Sequence, residues 1–336
     1  MSTTSVQTSN PDSFYHLGEL DTPLVQQLAD RANALKGGAQ PRRAPGRSLG
    51  LLFYDPSLRT SASFQRAAAR LGLELVQLRG DSIWGVEARP GVRMDGAAAE
   101  HLRDAAAVLG RYVDVLAVRA FGDQTAESGN NRDVMLEGFM EHAGKPIINM
   151  ESRRWHPCQA LADWATLDER EVAPRAKLVL SWAWHPRALP QAVPNSTLCM
   201  AAQRGMDVVV LHPQGFELSP EVMREAEALA ATSGGCVSVS HDPREALAGA
   251  DVVYAKAWRS SGPATPEAES ELRSPYRDWC VTPDWLGPDA LFFHCLPIRR
   301  NVIATDDVID GPRSCVLDQA EHRLHTQTAL LEHLLP

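Results

Sequence analysis

Short apolar runs alternate with helix-length amphipathic segments along nearly the whole chain. The apolar runs predict strands at 49–54, 73–78, 114–119, 146–150, 177–182, 207–211, 236–240, 251–255, 290–295 and 315–317. Most are near-continuous Val/Ile/Leu stretches, the pattern of parallel strands buried on both faces. Between them, Thr22 reads as a cap with Pro23 in the first helical position and Leu24, Leu28 and Leu35 on one face. Further helices are expected at 63–71, closed by Gly72, and at 100–109, 159–170, 195–205, 220–232 and 319–334. This alternation predicts an α/β fold of two doubly wound domains with parallel sheets, right-handed crossovers and sites at the carboxyl ends of strands. A boundary near 155 divides the strands about equally, giving domains 1–155 and 156–318; the pattern alone leaves the helix 319–336 to either half.

Composition narrows the classes. A chain of 336 residues suits two domains, and 44% hydrophobic with 22% charged residues is the balance of a soluble globular protein. A net charge of −9 argues against general nucleic-acid binding, although a local basic pocket fits inside that average. No apolar run is long enough for a membrane span, and Met1–Asn10 lacks the features of a secretory signal. The six cysteines are scattered without zinc-type spacing, so reduced thiols in a cytoplasm are expected. No GxGxxG, GxxxxGK[ST] or HExxH motif occurs, which weakens the dehydrogenase, P-loop and zinc-hydrolase readings.

Four polar segments sit at expected strand ends. Ser57-Leu58-Arg59-Thr60 offers a helix N-terminus, two hydroxyls and a guanidinium suited to phosphate. Arg119 leaves a buried strand, His156-Pro157-Cys158-Gln159 precedes a helix, and His294-Cys295-Leu296-Pro297-Ile298-Arg299 follows another strand. Each segment alone reads as a cap or a surface cation. Together, at strand ends of one α/β chain, they suit convergence on one anion across a crevice.

The order and spacing of the Ser57–Thr60, His156–Gln159 and His294–Pro297 motifs resemble the aspartate/ornithine carbamoyltransferase family over roughly 15–335. That resemblance implies two α/β domains joined by helices, a homotrimer with shared active sites, and no metal or organic cofactor. It assigns 1–155, completed by the C-terminal helix, to carbamoyl phosphate and 156–318 to the amine acceptor. It further implies that Ser57, Leu58, Arg59, Thr60, Arg119, His156, Gln159, Cys295, Leu296 and Arg323 bind carbamoyl phosphate. One departure stands out: Ser61 occupies the place of a second arginine in the first motif.

The acceptor is narrowed by further resemblances. Ordinary ornithine enzymes carry an aspartate and a Ser-Met-Gly loop where this chain reads Lys256-Ala257-Trp258-Arg259-Ser260-Ser261-Gly262. A lysine there disfavours a free α-ammonium and suits an acylated, neutral nitrogen beside an anionic group. The segment containing Trp84, and Ala183-Trp184-His185-Pro186-Arg187 with the residues after it, resemble the N-acylornithine branch. In that branch the residue matched by Trp84 reaches a neighbouring subunit's site; a buried core tryptophan is the structural alternative. Glu151, His185, Lys256 and Arg299 would then contact acylornithine. Acetylornithine enzymes carry glutamate and lysine at the positions of Ala99 and Ile303, whereas succinylornithine enzymes carry proline and isoleucine. N-succinyl-L-ornithine is therefore the expected acceptor, in arginine biosynthesis, ahead of N-acetyl-L-ornithine and then ornithine. The implied chemistry is direct attack by a neutral δ-amine, with Arg59, Thr60, Arg119 and His156 stabilising developing charge. The rivals are a non-catalytic carbamoyltransferase-like binding protein and a nucleotide-dependent oxidoreductase.

Overall fold

Two parallel sheets organise the computed structural model, which describes residues 13–121, 133–260 and 265–335. The first sheet contains β1 (Ser48–Phe53), β2 (Glu74–Arg79), β5 (Val115–Ala120) and β6 (Ile147–Ser152), in the order β2-β1-β5-β6. Between β2 and β5 in sequence, the two-residue strands β3 (Val86–Glu87) and β4 (Glu100–His101) form a separate parallel ladder. The second sheet contains β7 (Lys177–Trp182), β8 (Asp207–Leu211), β9 (Cys236–Ser240), β10 (Val252–Lys256) and β11 (Leu291–Phe293), in the order β11-β10-β7-β8-β9. The central strands β5, β7 and β10 are buried almost throughout, as their Val/Leu/Ala content requires when helices cover both faces.

Each sheet reverses its winding direction once. In the first, β1 lies between β2 and β5; in the second, β7 lies between β10 and β8. Such a switch point opens a crevice beyond the carboxyl ends of the two flanking strands, which is where open α/β sheets bind ligands. The chain segments leaving β1 and β5 therefore border one such crevice, and those leaving β7 and β10 border the other.

The chain forms two compact units. One comprises the residues up to His16, Gly37–Cys158 and those from Gln327 on; the other comprises Leu17–Lys36 and Gln159–Thr326. The helix Thr22–Lys36 thus belongs to the second unit, where Gln26 bonds Asp168 at 2.8 Å and Lys36 pairs with Glu169 at 2.7 Å. Helix Val316–Leu334 contributes to both units.

Several elements differ from the sequence expectation. Residues 315–317 are not a strand: Val316 opens the long helix, and only Ser314 bridges to Phe292. The apolar triplet misleads because Cys315 and Val316 are buried while Leu317 faces solvent, an arrangement a first helical turn produces. The helix expected at 63–71 begins at Leu58, because Ser57 caps it; Gly72 closes it at φ 72° as expected. Short helices Val134–His142, Pro243–Leu247, Pro266–Arg273 and Asp306–Ile309 were hidden by their brevity. No described helix is long and apolar enough to cross a membrane. The tail Met1–Asn10 and the pair Ser261-Gly262 lie outside the described residues.

Candidate functional site

The first unit gathers a phosphate-type cradle at its switch point. Phe53 at the end of β1 pairs in register with Arg119 in β5, and Tyr54 N–H donates to the Arg119 carbonyl at 2.9 Å. The loop between β1 and the helix Leu58–Leu71 is pinned when Phe121 N–H donates to Asp55 at 2.8 Å. Ser57 Oγ accepts from Thr60 N–H at 3.3 Å, fixing the first turn of that helix. Thr60 is buried, whereas Leu58 is 81% exposed. A cavity of 470 Å³ adjoins the cap, lined by Tyr54, Ser57, Leu58, Ser61, Gln77 and Arg79 among others. Ser61, the residue standing in place of an arginine, accepts from Gln65 at 2.9 Å and Gln77 at 3.4 Å within it.

Arg119 is 9% exposed and donates through Nη1 to Glu151, its neighbour across β5 and β6, where a register shift follows Val118. Its guanidinium lies over Phe121, 4.8 Å from the ring centre, and its buried Nε has no hydrogen-bond partner. His156 Nε2 lies 3.4 Å from the same Glu151 carboxylate. Arg119 and His156, both buried, therefore share the partly buried carboxylate of Glu151. Trp84 is 63% exposed and donates through Nε1 to Glu100 at 2.7 Å, so it is not a core tryptophan. Ala99 is exposed in the bend just before β4, its N–H donating to the Gly85 carbonyl at 3.0 Å.

In the second unit, His185 follows β7 and Lys256 ends β10, the two strands flanking its switch point. His185 is buried, and its Nε2 accepts from Arg299 Nε at 2.9 Å. Burial lowers its pKa to about 4, and the nearby charges of Arg299, Lys256 and Arg187 push in the same direction. The imidazole is therefore neutral near pH 7. A neutral histidine ringed by cations is a receptor for a carboxylate.

The remaining predicted residues of this unit share a buried network. Arg323 Nη1 donates to Gln159 Oε1 at 3.1 Å, and Gln159 Nε2 donates to Asp163 at 2.7 Å. The same Asp163 oxygen accepts from Gln319 Nε2 at 2.7 Å, while its other oxygen accepts from Tyr254 at 3.0 Å. Gln319 Oε1 accepts from His294 N–H at 2.9 Å, at the head of the Cys295-Leu296 turn. That turn carries Leu296 at φ 39° and is braced by its N–H donating to His294 Nδ1 at 3.0 Å. Burial raises the Asp163 pKa to about 7, opposed by the bonds from Gln319, Gln159 and Tyr254. Sequence reasoning missed Asp163, Tyr254 and Gln319. Only Asp163 left a signal, four residues after Gln159 on one helix face. Ile303, by contrast, is an apolar core residue.

Comparisons with known proteins agree on one family. Residues 13–169 match the carbamoyl-P binding domain of aspartate/ornithine carbamoyltransferase, and residues 189–334 match its Asp/Orn binding domain. The chain is 41% identical to an N-acetylornithine carbamoyltransferase of Xanthomonas campestris pv. campestris, over 94% of each chain. It is 37% identical to an N-succinylornithine carbamoyltransferase of Bacteroides thetaiotaomicron, over 95% of this chain and 96% of the other. Among solved structures, a glutamate-to-alanine mutant of N-acetyl-L-ornithine transcarbamylase, complexed with carbamyl phosphate and N-succinyl-L-norvaline, superposes with a TM-score of 0.92. It is 40% identical, covering 96% of this chain and 99% of that one.

Proposed function

The chain belongs to the aspartate/ornithine carbamoyltransferase family, in its N-acylornithine branch, and as a carbamoyltransferase it is an enzyme; from that premise we propose that it carbamoylates the δ-amine of N-succinyl-L-ornithine. The products are N-succinyl-L-citrulline and phosphate. The observation that carries this reading is the cationic group of Lys256, Arg299 and Arg187 around the neutral His185. An unacylated ornithine would bring an α-ammonium toward these cations, at a Coulombic cost; an acylated one brings only anions and a neutral amide.

The chemistry follows from the residues. The neutral δ-amine attacks the carbonyl carbon of carbamoyl phosphate; a C–N bond forms, the C–O bond to phosphate breaks, and the departing phosphate takes the amine's proton. Ser57, Leu58, Arg59 and Thr60 hold the phosphate through the helix N-terminus and the guanidinium. Arg119 and His156 face the developing oxyanion. Gln159, Arg323 and the Cys295-Leu296 backbone orient the carbamoyl group, and Trp84 binds carbamoyl phosphate in the site of a neighbouring subunit. Glu151, His185, Lys256 and Arg299 hold the acylornithine. No side-chain nucleophile is required.

Succinyl is favoured over acetyl because Ala99 offers neither bulk nor negative charge against a second carboxylate. The solved glutamate-to-alanine relative, complexed with a succinylated ligand, supports that reasoning. The acetyl alternative draws on the 41% identity to an N-acetylornithine carbamoyltransferase. Purified protein should be given carbamoyl phosphate with N-succinylornithine, N-acetylornithine or ornithine, and the carbamoylated product and phosphate measured. The reading expects the highest kcat/KM with the succinyl substrate; turnover of ornithine alone would overturn it.

A further inference from the structure

We infer that Asp163 is a positioning residue for carbamoyl transfer, one carboxylate that sets the orientation of two separate carbamoyl-handling segments. This rests on the proposed roles of Gln159, Arg323 and the Cys295-Leu296 turn.

A glutamine side chain can be turned either way about its amide, exchanging donor for acceptor. At Gln159 that exchange would aim an NH2 group at the Arg323 guanidinium, donor against donor. At Gln319 it would aim NH2 at the His294 N–H. Both exchanges are prevented by a single atom: one Asp163 oxygen accepts from Gln159 Nε2 and Gln319 Nε2, each at 2.7 Å. The other oxygen is held by the Tyr254 hydroxyl at 3.0 Å, which fixes the carboxylate's own rotation. Both amide oxygens are consequently turned outward, one to Arg323 at 3.1 Å and the other to His294 N–H at 2.9 Å. Asp163, Gln319, Tyr254 and His294 are fully buried, and Gln159 and Arg323 are 2% and 3% exposed. Water therefore cannot substitute for a missing acceptor without entering the core. The helix carrying Gln159, the turn after β11 and the C-terminal helix carrying Gln319 and Arg323 are thereby locked in one register.

The carboxylate's shape matters more here than its charge. An asparagine at this place presents its oxygen to both glutamines and its NH2 to the Tyr254 oxygen. An alanine presents nothing, and the glutamines lose their orientation.

The test uses the full chain and steady-state transfer to whichever acceptor it accepts. Asp163→Ala should lower kcat/KM for carbamoyl phosphate by about tenfold to a hundredfold, the loss expected when buried donors are orphaned. The acceptor's KM should change less than the carbamoyl phosphate constant, because among the described residues no hydrogen bond joins His185, Lys256 or Arg299 to Asp163 or its two glutamines. Asp163→Asn should recover most of the loss while folding normally. If Asp163→Ala does not fold, Gln319→Met serves instead, since it leaves Asp163 and Gln159 bonded and should lower the same constant by roughly three- to tenfold. A folded Asp163→Ala or Gln319→Met protein with unchanged kcat/KM, or an Asp163→Asn protein no better than Asp163→Ala, overturns the inference. Arg323→Met separates the two failures. If it too leaves carbamoyl phosphate use intact, the proposed binding roles are wrong; if it alone is impaired, only the positioning role is wrong.

Discussion

His185 accepts a hydrogen bond from Arg299 through Nε2 at 2.9 Å, while its Nδ1 faces the Arg187 carbonyl oxygen at 2.9 Å. The Arg299 bond requires a lone pair on Nε2, which in the neutral ring leaves the proton on Nδ1, 2.9 Å from the Arg187 carbonyl oxygen and 3.0 Å from the Arg187 nitrogen. Arg299 is otherwise an exposed side chain with rotamer freedom to lose on binding, so the imidazole pre-organises it. His185→Phe should raise KM for the acylornithine by roughly tenfold, the worth of a hydrogen bond to a charged group. KM for carbamoyl phosphate should stay near that of the parent. Initial-rate measurements with each substrate varied check the split; equal effects on both constants would contradict it.

The same imidazole gives a pH signature. Its pKa falls from 6.5 to about 4 on folding, chiefly through burial, so the unfolded chain binds more protons between those values. Stability from this group is fully present above pH 6.5 and is lost as pH falls toward about 4. The urea midpoint should therefore decline across that interval more steeply in the parent than in His185→Gln. Parallel curves would show that His185 titrates normally.

Arg119 offers a second test, through Glu151. The ion pair is largely shielded from solvent, so removing Arg119 takes from Glu151 its guanidinium partner in a site poorly served by water. Arg119→Met should lower kcat by about a hundredfold to a thousandfold, as for loss of one oxyanion donor. It should also destabilise the fold by roughly 3–5 kcal/mol, the cost of breaking a buried pair. Urea titration and single-turnover kinetics measure the two effects separately.

The fold was legible where one physical signal dominated. Strands β7 and β8 fall at the residues expected from apolar runs alone, because buried parallel strands need no alternation to be seen; the edge strand β9, mostly exposed, falls where its alternating Val237 and Val239 mark it. The capped helix start after β1 was legible because a Ser cap and a strand end lie within a few residues of one another. Asp163 and Gln319 were not, since their partnership spans distant segments and each looks like an ordinary helical residue. The pairing of Glu151 with Arg119 was equally hidden: the register shift after Val118 sets those two residues opposite each other, and no local pattern encodes a bulge.

Packing in the first unit makes a sharper stability prediction. Gly110, in the helix Leu102–Tyr112, lies where a Cβ would come within 1.8 Å of the Ala143 carbonyl oxygen, closer than any side chain tolerates. Gly110→Ala gains helix propensity of about 1 kcal/mol but must part the two helices. Overpacking costs about 1–3 kcal/mol or more, so the substitution should be net destabilising. A thermal midpoint equal to or above the parent's would show that the helices yield cheaply.

Ala99 carries the test of acyl choice. Its N–H bonds to the Gly85 carbonyl, so it sits on the backbone opposite the Trp84 turn and a longer side chain there has open solvent to enter. Ala99→Glu therefore adds charge and length without disturbing a core, and stability should change by no more than about 0.5 kcal/mol. Its effect belongs in the substrate. A glutamate repels the distal carboxylate of a succinyl group and leaves the uncharged acetyl group untouched. The ratio of kcat/KM for N-succinylornithine over N-acetylornithine should fall by about tenfold or more, the scale of a like-charge contact of roughly 1.4 kcal/mol. That fall should be larger at low ionic strength and shrink as salt screens an exposed pair. A ratio unmoved by the substitution at any salt concentration would remove Ala99 from the specificity assignment and leave acyl selection to the His185, Lys256 and Arg299 group alone.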